Sequence, residues 1–584
     1  MRALSFLLIG VLAFLAMHAV LGTPHGHSYI HNLPWYDSFR NAFWQGDLYP
    51  RFLPDLWYGF GGYDFYFYAP LPFWLIALLG EVSCPGCSTN QVFAVGGGWL
   101  VLLSGVSFFV AARHFFQARI AAAGSLVYMF LPYHYAFDWY VRQAVGELAA
   151  YIFLPLLLLA AHTLLTQRKG GRLFALAFAG LVLSHLPSAL IAIHVLALYV
   201  LCATWKAEVT LADKAKQLGR VAVWGGFGLC LSSLYWVPAL AHLDEVSPAR
   251  LYNAYADPVN WLLLDGRAEP DPTAMQVVKS VVLSVLTLVL TSWYLLRPQA
   301  DKQKDSLLLW ILVPGLFSLF LVSVLALPIW QYWILKTVQF PWRTLIFADL
   351  SLALASMVLL RHLIGQDLRP RSALTVGLST ASLLILCASQ VLATGQAIPR
   401  SVQNLERAGQ FEPLGAIEYF HPAFIGEILT TVRGQDLSGL TNDQIKEKIF
   451  AEIKRTYAEV TQTLETQTTH AAVIPSSHGK LTLQLHLDQA KTLTLPLTGW
   501  AHWQVSDPTG ASHQLNIDPE RGLLSISLSE GVHNLVLSPQ TTPPQVFGST
   551  LSLFAWLLLL GTYLYGRRAH FRFGSRHTGA TLHV

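Results

Sequence analysis

The chain has 584 residues, of which 53% are hydrophobic and only 12% are charged. A soluble globular domain carries about 25% charged residues, so the composition excludes an ordinary soluble protein and indicates a membrane protein. The net charge of +4 is too small for a chain of this length to indicate nucleic-acid binding.

Apolar segments close to the roughly 20 residues needed to cross a bilayer recur along the chain. The two short segments that meet at His185 are equally consistent with one broken helix and a re-entrant partner. With both counted, we predict about twelve spans, at 4–21, 91–112, 120–137, 148–165, 173–187, 188–203, 220–238, 277–296, 306–327, 344–360, 372–394 and 548–565.

The placement of Lys and Arg predicts the orientation of these spans. About half of the 38 Lys and Arg residues lie in short segments on alternate sides of successive spans. The positive-inside rule makes that face cytoplasmic, so both termini are expected in the cytoplasm. The first apolar run is predicted to stay as an anchor and not to be cleaved as a signal peptide. The predicted extracytoplasmic loops are 22–90, 138–147, 239–276, 328–343 and 395–547.

The first outer loop, 22–90, mixes polar and aromatic residues. Residues 57–74 include ten aromatics, which favours a belt at the membrane–water boundary over a platform for sugars. Gly59, Gly61 and Gly62 are expected to let the backbone approach a ligand closely. Cys84 and Cys87 form a CxxC motif. Without a second such motif, a small disulfide is favoured over a redox dithiol or a zinc site.

A different pattern begins after the membrane domain, which we place at 1–392. Residues 393–546 are polar and rich in turns, and they predict an extracytoplasmic domain with a helix at 442–466. Apolar and polar residues then alternate, which predicts an antiparallel β-sandwich over 471–540. Residues 547–584 are expected to form the last transmembrane helix and a basic cytoplasmic tail. The predicted strands are 481–487, 492–497, 502–507, 513–518, 523–528 and 533–538.

Ionisable residues beside spans are expensive to bury and are therefore functional candidates. All of them are predicted on the outer face, where arginines could bind phosphate oxygens and a carboxylate could take a proton or hold a metal. Such a pocket suits a phosphate-linked lipid. The candidates are His31, Asp37, Asp47, Arg51, Asp55, Asp64, Arg142, Glu147, His185 and Arg343.

Each candidate also has a purely structural interpretation, which stays open at this point. Arg142 and Glu147 are a natural ion pair. His185, which is followed by Leu186-Pro187, can cap a broken helix. Arg51 and Arg343 can anchor to lipid headgroups, and Asp37 and Asp47 can be solvated loop carboxylates.

A set of motifs is spread over most of the chain: His31, GDLYPRFLPD (46–55), GFGGYDFYFYAPLP (59–72), VRQAVGE (141–147), SHLPSAL (184–190), YWVPAL (235–240) and FPWR (340–343). Together they resemble a bacterial family of multi-spanning proteins labelled "6-pyruvoyl-tetrahydropterin synthase-related", which is similar to the C-type glycosyltransferase (GT-C) superfamily. The outer β domain followed by a last span also resembles YfhO-like proteins. No zinc-binding histidine set for pterin chemistry is recognisable.

The resemblance implies a polytopic GT-C-like enzyme of the bacterial inner membrane with large periplasmic loops. It would transfer a sugar from a polyprenyl-phosphate donor to a glycan, lipid or protein acceptor. The alternative is a non-catalytic lipid-glycan carrier or assembly protein whose β domain docks an envelope partner. The expected catalytic residues are His31, Asp37, Asp47 and Glu147, and the expected substrate-binding residues are Arg51, Tyr63, Tyr66, Arg142, His185 and Arg343.

The expected cofactor is a divalent metal, Mg or Mn. Related sequences tend to have an Asp about four residues before the histidine that matches His31, and here that position is His27. Asp37 or Asp47 then substitutes for it, or no metal is used, or activity has been lost.

Overall fold

The computed structural model describes residues 2–24, 26, 28–248, 257–263, 302–364, 416–438, 440, 442–475 and 479–574. The predicted spans 277–296 and 372–394, together with His27, lie outside these residues.

The part before residue 365 is helical. Within the described residues, five helices are long and apolar enough to cross a membrane, or six if Leu211–Leu231 and Ser233–Ala241, bent by 74° at their junction, count as one span. The prediction of several apolar helices is therefore confirmed, whereas the count of twelve is not. Two π-helices interrupt this part, at Ile76–Gly80 and Pro132–Arg142. The α-helices are Arg2–Leu21, Tyr29–Trp44, Asp64–Phe67, Leu71–Leu75, Glu81–Ser83, Thr89–Ala112, Ala118–Met129, Val145–Gln167, Gly171–Ser184, Leu186–Lys206, Leu211–Leu231, Ser233–Ala241, Lys302–Val322, Leu327–Trp330, Trp333–Lys336 and Leu345–Ile364.

The predicted span 120–137 is wrong in its second half. The helix ends at Met129, and Leu131 has an extended backbone with ψ 145°. A residue before proline is pushed out of the helical region, and Pro132 follows. The chain then forms the wider π-helix Pro132–Arg142, which carries polar residues that a regular span would not hold.

The domain after the membrane part, which we predicted to be extracytoplasmic and call the outer domain, is a β-sandwich preceded by helices Pro422–Arg433 and Asn442–Thr466. The strands are β1 (His470–Pro475), β2 (Leu481–Leu487), β3 (Lys491–Thr498), β4 (Trp503–Ser506), β5 (Ser512–His513), β6 (Leu515–Ile517), β7 (Leu523–Leu528) and β8 (Gly531–Pro539). The five-stranded sheet has the order β1-β2-β8-β4-β5 and the three-stranded sheet the order β3-β7-β6, and these pairings are antiparallel.

The alternating sequence explains the sandwich. In β2 the four leucines are buried and the residues between them are half-buried, because successive side chains point to opposite faces of a sheet. The predicted strand 513–518 is split at Gln514 into β5 and β6, which belong to different sheets. The sequence did not predict β1, which forms the edge beside β2.

The chain returns to a membrane helix at Pro543–Gly574. Within Pro543–Leu564, only 22% of the most apolar 18-residue stretch is buried inside the protein. Leu553, Phe554 and Trp556 are among the large apolar side chains that it exposes. Such a surface is unfavourable in water and suits lipid contact.

The aromatic run 57–74 forms neither the belt at the membrane–water boundary nor the platform for sugars that we considered from the sequence. Trp57 packs against Phe420, with ring centroids 4.8 Å apart, and Tyr63 stacks on Trp500 at 4.6 Å. These rings form a core between the membrane part and the outer domain. Tyr63 and Tyr66 are each only 2% exposed, so this packing does not support their predicted role in binding substrate.

The glycines of this run accommodate protein side chains and not a ligand. Gly61 has φ +76°, and a Cβ there would overlap the ring of Phe52. Gly59 has φ +115°, and a Cβ there would meet the hydroxyl of Tyr457. Both positions therefore need glycine for backbone conformation and for close packing with the domain core.

Polar and covalent contacts hold the end of the first outer loop. Cys84 and Cys87 form a disulfide. Ser88 and Gln91 form a capping box at the start of helix Thr89–Ala112. The disulfide therefore closes a short turn, and the capping box starts the helix directly after it.

Candidate functional site

The centre of the candidate site is a buried ion-pair network around Arg142. Its Nη1 atom lies 2.9 Å from Asp138 Oδ1 and 2.7 Å from Glu147 Oε2. The hydroxyl of Tyr133 donates to Glu147 Oε1 at 2.7 Å. Glu147 is fully buried, and the Arg142 side chain is 12% exposed. A buried carboxylate needs such partners because desolvation of an unpaired charge is costly.

Local backbone geometry brings these groups together. Arg142 ends the π-helix Pro132–Arg142, and Gln143 then adopts a left-handed conformation with φ 54°. The turn lets helix Val145–Gln167 begin at once and places Glu147 in its first turn. A carboxylate there also interacts favourably with the helix dipole.

A second arginine reaches the same carboxylate from a distant segment. Arg343 lies in the 3₁₀ turn Pro341–Thr344, and its Nε atom is 3.9 Å from Glu147 Oε2. Its Nη1 atom donates to Val338 O at 2.7 Å and to Gln339 Oε1 at 3.0 Å. Nε is buried and has no hydrogen-bond partner within the described part of the chain. Two guanidinium groups therefore converge on one carboxylate.

The contact between Arg343 and Glu147 also shows which ends of two candidate spans lie on the same side. Arg142 and Glu147 stand at the start of the apolar helix Val145–Gln167, and Arg343 stands at the start of Pro341–Arg361. Because Glu147 and Arg343 approach each other, the N-terminal ends of the two candidate spans lie on the same side. Helix N-termini carry partial positive charge and unsatisfied N–H groups, which favour anions.

His185 lies next to the network, at a third helix start. Its Nδ1 atom lies 2.8 Å from Ser188 Oγ and accepts the backbone N–H of Ser188, so it caps helix Leu186–Lys206. This is the capping role that the sequence left open. A Cβ added to Gly146 would meet Ser184 O at 2.9 Å, His185 Cδ2 at 3.3 Å and Tyr68 Oη at 3.5 Å. His185 and Tyr68 thus lie beside the residue that precedes Glu147.

The first outer loop reaches the site through helix Tyr29–Trp44. The Ser28 N–H donates to Arg142 O at 2.9 Å, and Asn32 Nδ2 donates to Gln143 O at 2.5 Å. The Trp35 ring lies 4.6 Å from the Tyr68 ring, and His31 lies 6.0 Å from Trp35. The first turn of this helix, which contains His31, therefore lies beside the backbone of Arg142 and Gln143.

The other predicted residues have contacts elsewhere. Asp37 accepts a hydrogen bond from Thr89 Oγ1 at 2.7 Å, and Asp47 accepts one from the Tyr49 N–H at 3.1 Å. Arg51 donates from Nη2 to Leu234 O at 2.7 Å, and its guanidinium lies 3.8 Å from the centre of the Tyr49 ring. These contacts do not connect the three residues to Arg142, Glu147 or Arg343.

Two further carboxylates lie close to the aromatic side of the site. Asp64 is fully buried, and its Oδ1 accepts from Trp35 Nε1 at 2.8 Å and from the Ala416 N–H at 3.0 Å. Desolvation raises the pKa of Asp64 to about 7, and the nearby charge of Glu418 adds to the shift. Desolvation likewise raises the pKa of Glu418 to about 7. The Glu418 side chain is half-buried.

Sequence reasoning missed Glu418 and did not assign a role to Asp64. Burial raises the pKa of the Tyr419 hydroxyl, and the nearby groups Glu418, Asp64 and Tyr68 raise it further. Burial also raises the pKa of Tyr68, to about 12, against the opposing effect of the charges of Arg343 and Arg142. Glu418 lies far along the chain from the first loop, in a polar domain where no sequence pattern marks a single Glu as functional.

The Arg142 network is a poor metal site. Glu147 already accepts from Tyr133 and two arginines approach it, so a cation there would face two positive charges. Within the described residues, one group of three or more side chains has ligand atoms close enough together to hold a metal. It consists of His242, Glu245 and His502.

Comparisons with known proteins do not identify a family. No family model and no curated protein matches the chain. The archaeal oligosaccharyltransferase AglB of Archaeoglobus fulgidus, solved with an inhibitory peptide and a dolichol-phosphate, has a TM-score of 0.36 at 14% identity over 76% of this chain and 59% of its own. ArnT of Cupriavidus metallidurans, solved with undecaprenyl phosphate, has a TM-score of 0.41 at 12% identity, and the match covers 92% of this chain and 99% of ArnT. The arabinofuranosyltransferase AftD from Mycobacteria has a TM-score of 0.42 at 16% identity, and the match covers 66% of this chain and 27% of AftD.

The chain spans less than two thirds of the length of the oligosaccharyltransferase. At these TM-scores and identities, the similarities do not assign a site or an activity. Any assignment must therefore come from the chemistry of the described residues.

Proposed function

We propose that the chain is a membrane glycosyltransferase that uses a polyprenyl-phosphate-linked sugar and an extracytoplasmic acceptor. The observation that carries this proposal is the convergence of Arg142 and Arg343 at the N-terminal ends of two apolar helices. Arginine presents a planar, permanently charged fork to phosphate oxygens. Because both arginines stand at the ends of spans, the phosphate that they suit is one attached to a lipid.

The proposed roles follow from the contacts. Arg142 and Arg343 bind the donor phosphate, and Glu147 fixes the orientation of both guanidinium groups. The Nδ1 atom of His185 caps a helix, so only its Nε2 is left for the substrate.

For the base, we propose Glu418 in place of Asp37 or Asp47. A carboxyl group with a pKa of about 7 is half-ionised near neutral pH, which suits general-base catalysis. Glu418 would take the proton of the acceptor hydroxyl as its oxygen bonds to the anomeric carbon. The bond from that carbon to the phosphate oxygen breaks, and its electrons leave with the polyprenyl phosphate. Such a direct displacement inverts the anomeric centre and needs no metal.

Retained lipids and turnover test the function together. The full chain is purified in nanodiscs, its bound lipids are identified by mass spectrometry, and a crude extracytoplasmic glycan acceptor is added. We expect a co-purified polyprenyl-phosphate sugar that is consumed when the acceptor is present. Retention of bulk phospholipid alone would refute the proposal. Retention of the donor without turnover would instead support the non-catalytic carrier.

A further inference from the structure

A second polar cluster lies where the membrane part meets the outer domain. His242 follows helix Ser233–Ala241, and Glu245 ends the 3₁₀ turn Leu243–Glu245. His502 comes from the sandwich, directly before β4. The cluster therefore joins two parts of the chain that are far apart in sequence.

The three side chains converge on one point. Glu245 Oε1 lies 2.8 Å from His242 Nδ1 and 2.8 Å from His502 Nε2. The ligand atoms of all three residues lie within 4.8 Å of one another. His242 is only 4% exposed, and the second carboxylate oxygen of Glu245 is buried without a hydrogen-bond partner among the described residues. Two imidazole nitrogens and an incompletely satisfied carboxylate thus face a shared space.

The surroundings of His242 also fit a metal ligand. Its other ring nitrogen, Nε2, lies 2.9 Å from Thr542 Oγ1. A histidine that binds a metal through one nitrogen usually donates its other N–H to an oxygen, which fixes the tautomer and the ring orientation. In the tautomer that donates Nε2–H to Thr542, the lone pair of Nδ1 faces Glu245 Oε1, and a cation between these two atoms would remove their repulsion.

We propose that His242, Glu245 and His502 bind a zinc ion that ties the outer domain to the membrane part. Two imidazoles and one carboxylate form a donor set typical of zinc, whereas magnesium and calcium prefer oxygen ligands alone. A fourth position is left for water. Zinc–nitrogen and zinc–oxygen bonds of about 2.0–2.1 Å need ligand atoms about 3.3 Å apart, so each 2.8 Å contact would open by about half an ångström.

The location gives the ion a structural role. The His242 ring lies 5.4 Å from the Trp500 ring, which stacks on Tyr63 in the aromatic core between the domains. Thr542 immediately precedes the last helix, Pro543–Gly574. Zinc here would fix the sandwich, the end of helix Ser233–Ala241 and the start of the last helix relative to one another.

Metal content and thermal stability test this proposal independently of any sugar transfer. The full chain in nanodiscs is stripped with a chelator and then given zinc or magnesium. We expect one zinc per wild-type chain and a higher melting temperature with zinc but not with magnesium. Glu245→Gln and His502→Ala should retain at least tenfold less zinc and lose the shift. His513→Ala, a histidine of the same sandwich beside Asp507, is the matched control and should behave as wild type.

Cobalt spectroscopy covers the case in which a variant does not fold. Wild-type protein titrated with Co²⁺ should show the visible absorption of a four-coordinate site with nitrogen and oxygen ligands. His242→Cys should keep a bound Co²⁺ and add a thiolate charge-transfer band. Absence of bound zinc and of the cobalt bands in the folded wild type would overturn the proposal. Equal zinc in wild type and in folded His502→Ala would do the same.

Discussion

Replacing Arg343 by Gln separates a role in binding phosphate from a role in holding the fold. The Arg343 side chain contributes one short hydrogen bond to Val338 O and one to Gln339 Oε1, and its distance to Glu147 is 3.9 Å. Loss of these contacts should cost about 1–3 kcal/mol of folding free energy. A charge-assisted hydrogen bond to the donor phosphate is worth about 1.5–3 kcal/mol. Its loss should weaken donor binding by roughly 10- to 150-fold.

Arg142→Gln should behave differently, because it leaves Asp138 and Glu147 buried without their cation. Removing one partner of a buried ion pair costs about 3–5 kcal/mol, so this variant should lose both stability and binding. Arg168→Gln is the matched control, since Arg168 lies at the opposite end of the same helix.

The assay is paired for all three variants in nanodiscs. Melting is followed by intrinsic fluorescence, and affinity is measured by equilibrium titration with a fluorescent polyprenyl phosphate. If Arg343→Gln binds the lipid within twofold of wild type, the assignment of Arg343 to the phosphate is refuted. An equal loss of affinity in Arg168→Gln would refute the location of the site.

Three other predictions test the base, the buried acid and the domain interface. Because Glu418 has a pKa of about 7 and a base must be ionised, the rate of transfer should fall about tenfold per unit as pH drops below 7. Glu418→Gln should abolish transfer and preserve donor affinity, and a flat pH–rate profile in wild type would contradict this role. The pKa of Asp64 is raised from 3.8 to about 7, so the folded state holds a proton that the unfolded state releases. Its contribution to stability is therefore present below pH 4 and is lost as pH rises to about 7. In chemical denaturation, the free energy of unfolding of Asp64→Asn should decline less steeply over that pH range than that of the wild type. Equal slopes would count against a buried, protonated Asp64. Gly61→Ala should lower the melting temperature because the new Cβ would overlap the Phe52 ring, whereas Gly86→Ala, at a similar φ of +77° with open space around it, adds only backbone strain. Equal melting temperatures for the two glycine variants would show that Phe52 does not pack at Gly61.

The regular elements could be predicted from the sequence because their patterns are local. Apolar runs gave several membrane helices, and strict alternation gave β2 and β7 with the bounds that the structure has. The pairing of Arg142 with Glu147 was also accessible, since the two residues are close in sequence. The split after Met129 was not foreseen, although Pro132 is the physical reason for it.

The long-range arrangement of the site could not be read in the same way. No sequence pattern around Glu147 or Arg343 predicts that these two side chains lie close together. Buried and interfacial aromatic clusters have the same composition, so the burial of Tyr63 against Trp500 was not predictable from the run that contains it. Glu418 and the group of His242, Glu245 and His502 depend on contacts between the two domains, and a single sequence does not contain that information.

A structure of the full chain in nanodiscs with bound polyprenyl phosphate tests the central claim most directly. We predict phosphate density within hydrogen-bonding distance of the guanidinium groups of both Arg142 and Arg343. Phosphate density beside Arg51 alone, or at the opposite ends of these helices, would contradict it.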